Sequence, residues 1–230
     1  MEIDANLKKL YEKRFKGELR RKNDIWKILC DSFFQNYVRE TDIVLDIGAG
    51  YCEFINNIKC AQKYAVDLNE DSHKFAASSV RVHTSPSTDL SFLQEASVDV
   101  VFISNFLEHL KNKADVLNTL TEVFRVLKME GGKLMILQPN IRYAYKEYWD
   151  FFDHHLALSD KSLIEALQIA GFSIERVLPK FLPYTTKTKM PQKEFLIKAY
   201  LKFPLIWKIL GKQMLIIARK KQKEHSDIQS

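Results

Sequence analysis

The chain has 230 residues, of which 46% are hydrophobic, and it carries a net charge of +6. This length is enough to bury one substantial core, and no apolar run approaches the roughly 18 residues that a membrane-spanning helix needs. The three cysteines fit neither a zinc site nor a disulfide framework, and the amino terminus lacks the basic-then-apolar order of a signal peptide, so we expect a soluble, cytoplasmic protein.

The charge is unevenly distributed along the chain. Residues 1–40 sum to +3, residues 41–179 to −6 and residues 180–224 to +10. A basic surface attracts the phosphates of nucleic acids, nucleotide sugars or lipid head groups, although a run of lysines is equally typical of a solvated helix face. The sequence therefore predicts an acidic body with a basic carboxy-terminal part.

The predicted elements form one α/β layer structure with additions at both ends. Residues 1–40 predict an N-terminal helical cap that packs on the core through Trp26, Leu29, Phe33, Phe34 and Val38. From residue 41 to residue 220, short apolar runs alternate with amphipathic stretches, a pattern typical of parallel strands with crossover helices. Strands are predicted at 42–47, 62–68, 80–84, 98–104, 133–138, 172–178 and 213–219.

Two helices of this layer have clear ends in the sequence. One runs from Lys113 to Leu127 and shows a single apolar face. The other begins after Ser159, a residue that caps helices well, and ends at Gly171. Residues 179–211 read as a basic helical insertion before the last strand, and residues 221–230 as a flexible tail.

The most informative motif is the run Val44-Leu45-Asp46-Ile47-Gly48-Ala49-Gly50, an apolar strand that enters a glycine turn. Glycines allow unusual backbone angles and the close approach of a nucleotide-type ligand at the end of a strand. The NAD fingerprint requires a third glycine, which is absent here, and Asp46 suits a cationic ligand better than a pyrophosphate. The motif therefore favours S-adenosylmethionine over NAD.

This run resembles motif I of the class I S-adenosylmethionine-dependent methyltransferases, and the similarity to their methyltransferase-11-like branch extends from about Asp42 to Gly132. The family commonly has glycine where this chain has Cys52. The resemblance implies a doubly wound, mostly parallel seven-stranded sheet of the Rossmann-like type. It also implies methyl transfer as the activity and S-adenosylmethionine as the cofactor.

The resemblance assigns further cofactor-binding positions. An acid such as Asp67, about twenty residues beyond the glycines, binds the ribose hydroxyls; the alternative is that it caps the segment that begins at Asn69. In the family's adenine-binding turn Asp89 receives the exocyclic amine and the Leu90 amide faces the ring. The complete set of expected cofactor-binding residues is Asp46, Gly48, Ala49, Gly50, Asp67, Leu68, Ser87, Thr88, Asp89, Leu90, Ser104 and Asn105.

Histidines follow two strands whose carboxyl ends open on the same side of the sheet. Because imidazole titrates near neutral pH, we expect His109, His154 and His155 to be candidate general bases. The alternative is that these histidines only form hydrogen bonds with neighbouring loops. Certain relatives with an E-x-x-E-H pattern bind metal here, but this chain has Asn105 in place of the first glutamate. We therefore expect no metal; if a divalent ion binds, its ligands are Glu108 and His109 with His154 or His155.

The insertion contains an amphipathic stretch at residues 195–210, interrupted by Pro204. Its apolar clusters either cover the core or active site, form a homodimer contact, or make a peripheral membrane contact with Tyr200 and Trp207 at head-group depth.

We expect a small-molecule acceptor: a sugar, a polysaccharide precursor or a lipid-linked intermediate. RNA methylation is the alternative, although no RNA-binding module is recognisable, and a non-catalytic, cofactor-binding subunit is the third hypothesis.

Overall fold

A computed structural model describes residues 19–184 and 193–220 of the chain. Seven strands form one sheet in the order β3-β2-β1-β4-β5-β7-β6. The first five strands are parallel, whereas β7 runs antiparallel to both of its neighbours. The strands are β1 (Ile43–Ile47), β2 (Gln62–Asp67), β3 (Val80–Thr84), β4 (Val100–Ser104), β5 (Lys133–Pro139), β6 (Phe172–Leu178) and β7 (Gln213–Lys220). The predicted fold class is confirmed.

Helices cover both faces of this sheet. They are α1 (Leu19–Ser32), α2 (Glu53–Asn57), α3 (Ser72–Phe75), α4 (Lys113–Val126), α5 (Ile141–Ala144), α6 (Asp160–Ile169), α7 (Glu194–Lys202) and α8 (Pro204–Leu210). Short 3-10 turns lie at Phe34–Tyr37, Leu107–His109 and Tyr148–Asp150. No helix within the described residues is long and apolar enough to cross a bilayer.

The hydrophobic core consists of two layers, one on each face of the sheet. One layer contains α1, α2, α7 and α8, and the other contains α4 and α6. Central strands such as β4 carry buried apolar residues on both faces, since parallel strands covered by helices on both sides meet no solvent. This double covering leaves the carboxyl edge of the strands as the natural place for a ligand site.

The N-terminal cap is an integral part of the first layer within the described residues from 19 onward. Phe34 is fully buried, and its ring meets Phe54 of α2, Phe102 of β4 and Phe181 at centroid distances of 5.8, 5.2 and 6.4 Å. Trp26 stacks beside Phe34 at 6.1 Å. The five side chains predicted to pack on the core do so. Residues 1–18 of the predicted cap and the predicted tail at 221–230 lie outside the described residues.

Local side-chain chemistry sets several element boundaries. Ser159 caps α6 as predicted and forms a capping box with Ser162, in which the backbone amide of each serine donates to the hydroxyl of the other. The carboxylate of Asp42 accepts from the amide and the side chain of Arg39, which leaves Asp42 just outside β1. The predicted start of the fourth strand at Val98 is instead an isolated bridge to Leu127.

Within residues 193–211 of the predicted insertion, the structure has two helices that meet at Pro204, while residues 185–192 lie outside the described residues. Their inner face packs on the core through Ile197, Tyr200, Leu201 and Trp207. The placement of Tyr200 and Trp207 at a membrane surface is wrong, because each is only 5% exposed. The Tyr200 hydroxyl donates to the Phe181 carbonyl and the Trp207 indole to the Tyr200 carbonyl, so both polar ends are satisfied inside the protein.

Candidate functional site

The glycine turn lies at the carboxyl end of β1 and is fixed to β2. The amides of Gly48 and Ala49 donate to the Val66 carbonyl at 2.9 and 3.3 Å. The next amide, that of Gly50, donates to Oδ2 of Asp67 at 2.8 Å. These bonds hold the turn in a fixed position beside the Asp67 carboxylate.

The two glycines of the turn serve different purposes. Both have a positive φ, +68° at Gly48 and +52° at Gly50. A Cβ at Gly48 would lie 2.4 Å from the Phe106 ring, whereas a Cβ at Gly50 would meet nothing within 4 Å. The close approach predicted for Gly48 is therefore made by Phe106, and the open space that a ligand can occupy lies beside Gly50.

Cys52 shows why the third position of the motif favours glycine. Its φ is +59°, in the left-handed region, and its side chain is buried. A non-glycine residue in this region carries strain of about 1–2 kcal/mol. Cysteine is small enough to fit, with its thiol near the Ser72 carbonyl at 3.7 Å. The departure from glycine is thus accommodated at a cost in backbone strain.

Three carboxylates converge on the turn. Asp46 is 3% exposed, and burial raises its pKa well above the usual range; repulsion from Glu53 and Asp67 adds to this, and a hydrogen bond from the Ile55 amide opposes it. A cation bound beside these carboxylates would offset both the burial of Asp46 and the repulsion between them, and so would favour the ionised form of Asp46. The electrostatics suit a sulfonium and an ammonium group and oppose a pyrophosphate.

Asp67 makes two internal hydrogen bonds but does not cap a helix. Its Oδ1 accepts from the Asn69 amide at 2.8 Å in a local turn, and α3 begins only at Ser72. Each carboxylate oxygen has a second lone pair that a hydroxyl can use. Next to it, Leu68 is 70% exposed at the same edge of the sheet. The pair offers a polar and an apolar contact side by side.

The turn after β3 departs from the expected arrangement. The Leu90 amide, which was expected to face an adenine ring, donates here to Oε2 of Glu122 on α4 at 3.0 Å; its contact with adenine stays a prediction. The Ser87 hydroxyl is also turned inward, 2.7 Å from the hydroxyl of Thr119. Thr88 is half-buried and Asp89 is exposed, and these two residues of the turn can face a ligand.

Residues after β4 form the next wall of the site. Ser104 is half-buried, and the side-chain amide of Asn105 donates to its hydroxyl at 3.1 Å. Asn105 has a φ of +46°, and its backbone amide donates to the Leu137 carbonyl. This tight turn places Phe106 over Gly48 and directs the chain toward Glu108. Ser104 and Asn105 therefore lie at the carboxyl edge, as predicted.

A buried cluster of acid and imidazole groups follows directly. Glu108, His109 and His154 place ligand-type atoms within 4.8 Å of one another. Glu108 is 1% exposed, and burial raises its pKa to about 6. His155 is exposed and contributes its backbone amide, which donates to the Glu108 carbonyl at 2.8 Å. The structure thus brings together three of the four candidate residues.

Asp153 is a member of this cluster that sequence reasoning missed. Nδ1 of His109 lies 3.0 Å from the backbone carbonyl oxygen of Asp153 and 3.4 Å from Oδ2 of the Asp153 carboxylate. A carbonyl oxygen can only accept, so Nδ1 is the protonated nitrogen of the neutral ring and Nε2 carries the lone pair. The one signal in the sequence is an aspartate directly before two histidines.

Aromatic side chains enclose the cluster. The rings of Tyr148 and Phe151 lie 4.9 and 5.1 Å from His154, and Tyr184 lies 5.8 Å from Phe151. Burial first, and then the nearby Glu108 carboxylate, raise the pKa of both tyrosines far above the usual range. Neither phenol is therefore suited to act as a base at neutral pH, and the Tyr148 hydroxyl donates to the Leu156 carbonyl.

Comparisons with known proteins agree with this geometry. Residues 45–136, which contain the glycine turn, Asp67 and the strand β4, match the family described as a methyltransferase domain, Methyltransf_11. Residues 45–136 therefore carry a methyltransferase domain. No curated protein matches the chain in sequence.

Several solved structures share the fold of this chain. A SAM-dependent methyltransferase from Archaeoglobus fulgidus is 23% identical, with a TM-score of 0.66 over 92% of this chain and 98% of that one. A complex of the Haloferax volcanii Trm112 methyltransferase activator with a methyltransferase is 18% identical, with a TM-score of 0.66 over 94% of this chain and 97% of that one. Geranyl diphosphate C-methyltransferase from Streptomyces coelicolor is 17% identical, with a TM-score of 0.61 over 92% of this chain and 85% of that one. That structure is a complex with Mg²⁺, geranyl diphosphate and S-adenosyl-L-homocysteine.

Proposed function

We propose that this methyltransferase transfers a methyl group from S-adenosylmethionine to a hydroxyl of a small-molecule acceptor: a sugar, a polysaccharide precursor or a lipid-linked intermediate. The observation that carries the proposal is the cluster of His109, Glu108, His154 and Asp153 at the carboxyl edge of the sheet. The glycine turn opens on that same edge, so a proton acceptor lies on the side where the methyl group would be presented.

The cofactor would be held by the residues around the turn. Asp46 and the backbone of residues 48–50 would face its amino-acid part, while Asp67 would accept from the ribose hydroxyls. Leu68 would cover the adenine, with Thr88 and Asp89 at its rim, and Ser104 and Asn105 would complete the wall beside β4. Ser87 and Leu90, the other expected residues of this turn, would adjoin the adenine from positions held by Thr119 and Glu122.

His109 would remove the acceptor proton. A bound cofactor would supply an electrophilic methyl on sulfur, and the acceptor oxygen would form the new C–O bond as the C–S bonding pair passes to sulfur. The proton leaves the oxygen for Nε2 of His109, whose ring Asp153 orients through Nδ1. Burial keeps the pKa of Tyr148 and Tyr184 above the usual range, so neither phenol competes with His109 as a base. His154 packs beside this base at a ring distance of 5.0 Å.

Two measurements test the proposal in sequence. Calorimetry with S-adenosylmethionine should show binding by the wild type and at least tenfold weaker binding by Asp67→Ala. Methyl transfer to sugar-nucleotide and lipid extracts should then fall by about 10²–10⁴-fold in His109→Gln, with cofactor affinity unchanged. Equal turnover by His109→Gln and wild type would contradict the role of His109, and the absence of cofactor binding would contradict the whole proposal.

The proposal requires no resident metal. The mixed oxygen and nitrogen donors of Glu108, His109 and His154 nevertheless suit several divalent ions, so the question is an experimental one. We expect full activity of the purified protein in the presence of a chelator. Loss of activity with the chelator, restored by Mg²⁺ or Zn²⁺, would make these three residues a metal site instead.

RNA methylation is the second candidate function. The basic carboxy-terminal part favours it, and the Haloferax structure is that of a methyltransferase with the Trm112 activator. Against it, the acidic body of the chain would repel a phosphate backbone. Strong RNA binding with a steep salt dependence would favour this function. Cofactor binding without turnover on any extract would instead favour a non-catalytic partner subunit.

A further inference from the structure

We propose that the outer face of the hairpin formed by α7 and α8 docks the protein on an anionic lipid bilayer. The hairpin is apolar on two sides. Its inner side is part of the core, as described above. Its outer side exposes five large apolar side chains, Phe195, Phe203, Leu205, Ile209 and Leu210, which are 62, 59, 73, 78 and 49% exposed.

Helical spacing places the outer residues together. On α7, Phe195 lies on the same face as Lys198 and Lys202, opposite the buried side chains of that helix. On α8, Leu205 and Ile209 are four residues apart and share the exposed face with Lys208. Large apolar side chains that are exposed together on neighbouring helices mark an interaction surface.

The charges on the hairpin select a lipid surface as the occupant. Lys193, Lys198, Lys202 and Lys208 are all exposed, and Glu194, paired with Lys198 at 2.6 Å, is the only acid among residues 193–212. Lysines between large apolar side chains are typical of helices that lie in the plane of an anionic membrane. A second copy of the chain would instead bring lysine against lysine across the contact.

The hairpin is attached at the edge of the sheet where the site opens. Gln213, the first residue of β7, pairs with Pro139 at the end of β5, and the Lys212 carbonyl accepts from the Asn140 amide. Three strand spacings, about 14 Å, separate β7 from β1 in the sheet. If the proposed function holds, an acceptor anchored in the bilayer would therefore meet the site near the membrane.

Vesicle co-sedimentation of the full chain tests the proposal. The probes are vesicles of phosphatidylcholine alone and of an equimolar mixture with phosphatidylglycerol. We expect binding to the mixed vesicles only. The double variant Leu205→Ser/Ile209→Ser should bind at least tenfold more weakly. Replacing Lys202 and Lys208 by glutamate should weaken binding by about fivefold or more for each lysine.

Matched controls come from the exposed side of α6. Ile169 is 68% exposed and Lys161 is exposed, and both lie on the other face of the sheet, so Ile169→Ser and Lys161→Glu should leave vesicle binding unchanged. Binding that ignores lipid charge, or equal losses in the controls, would overturn the proposal. So would a dimer in light scattering that Leu205→Ser/Ile209→Ser converts to monomer. Calorimetry with S-adenosylmethionine should be unaffected by every variant, which separates this test from that of the proposed function.

Discussion

Replacement of Glu108 by glutamine should stabilise the protein at neutral pH. The Glu108 side chain is 1% exposed, and burial raises its pKa from the ordinary 4.5 to about 6. Proximity to His109 opposes this shift without cancelling it. The folded state thus favours the neutral carboxyl group, and ionisation above pH 6 costs stability. Glutamine has nearly the same shape and never ionises.

The magnitude follows from the difference between the two pKa values. One pKa unit corresponds to about 1.4 kcal/mol, so the ionised carboxylate costs about 2 kcal/mol at pH 8. Because the folded-state pKa is the higher one, the cost vanishes below pH 4.5 and is complete above pH 6. The variant should therefore exceed the wild type by about 2 kcal/mol at pH 8 and match it below pH 4.5.

Urea unfolding at both pH values, with a chelator present, measures this difference. Glu165→Gln, an exposed position on α6, is the control and should change little at either pH. A Glu108→Gln variant that is less stable than wild type at pH 8 would refute the reasoning. Such a result would mean that a cation or a donor stabilises the ionised carboxylate.

Three further predictions concern the glycine turn and the aromatic core. Gly48→Ala should lower the free energy of unfolding by about 2–4 kcal/mol, because the new Cβ would overlap Phe106. Gly50→Ala should cost only the backbone strain of about 1–2 kcal/mol, because its Cβ would meet no other atom. Equal losses for the two variants in urea unfolding would contradict this. The free energy of unfolding of Cys52→Gly should lie within about 1 kcal/mol of the wild-type value, since relief of the left-handed backbone strain offsets the lost side chain. Cys52→Val should be clearly less stable in the same assay. Phe34→Ala should cost about 3–5 kcal/mol in urea unfolding, and a loss below 1 kcal/mol would show that the N-terminal cap is not part of the core.

Local patterns were sufficient to predict most of the fold. The bounds of β3 and β6 match the predicted strands, and the Ser159 cap begins α6 where expected. These features depend on alternation, periodicity and capping within a few residues. The glycine turn was equally visible, because positive φ angles favour residues without a Cβ.

Contacts between residues distant in the sequence were not predictable in the same way. Glu122 captures the Leu90 amide from 32 residues away, and nothing near Leu90 indicates it. The α7–α8 hairpin is apolar on both sides, so periodicity could not decide that Trp207 faces the core and Ile209 faces solvent. The contact between His109 and Asp153 depends on how two loops meet above adjacent strands.

The position of β7 bears on how the chain acquires its structure during synthesis. The last strand lies between β5 and β6, although β6 precedes it by more than thirty residues of chain. Until β7 leaves the ribosome, β5 presents an unpaired edge and β6 has no partner in the sheet. A polypeptide that stops short of Gln213 would expose two aggregation-prone strand edges, so chaperone dependence should end only when translation has passed Lys220.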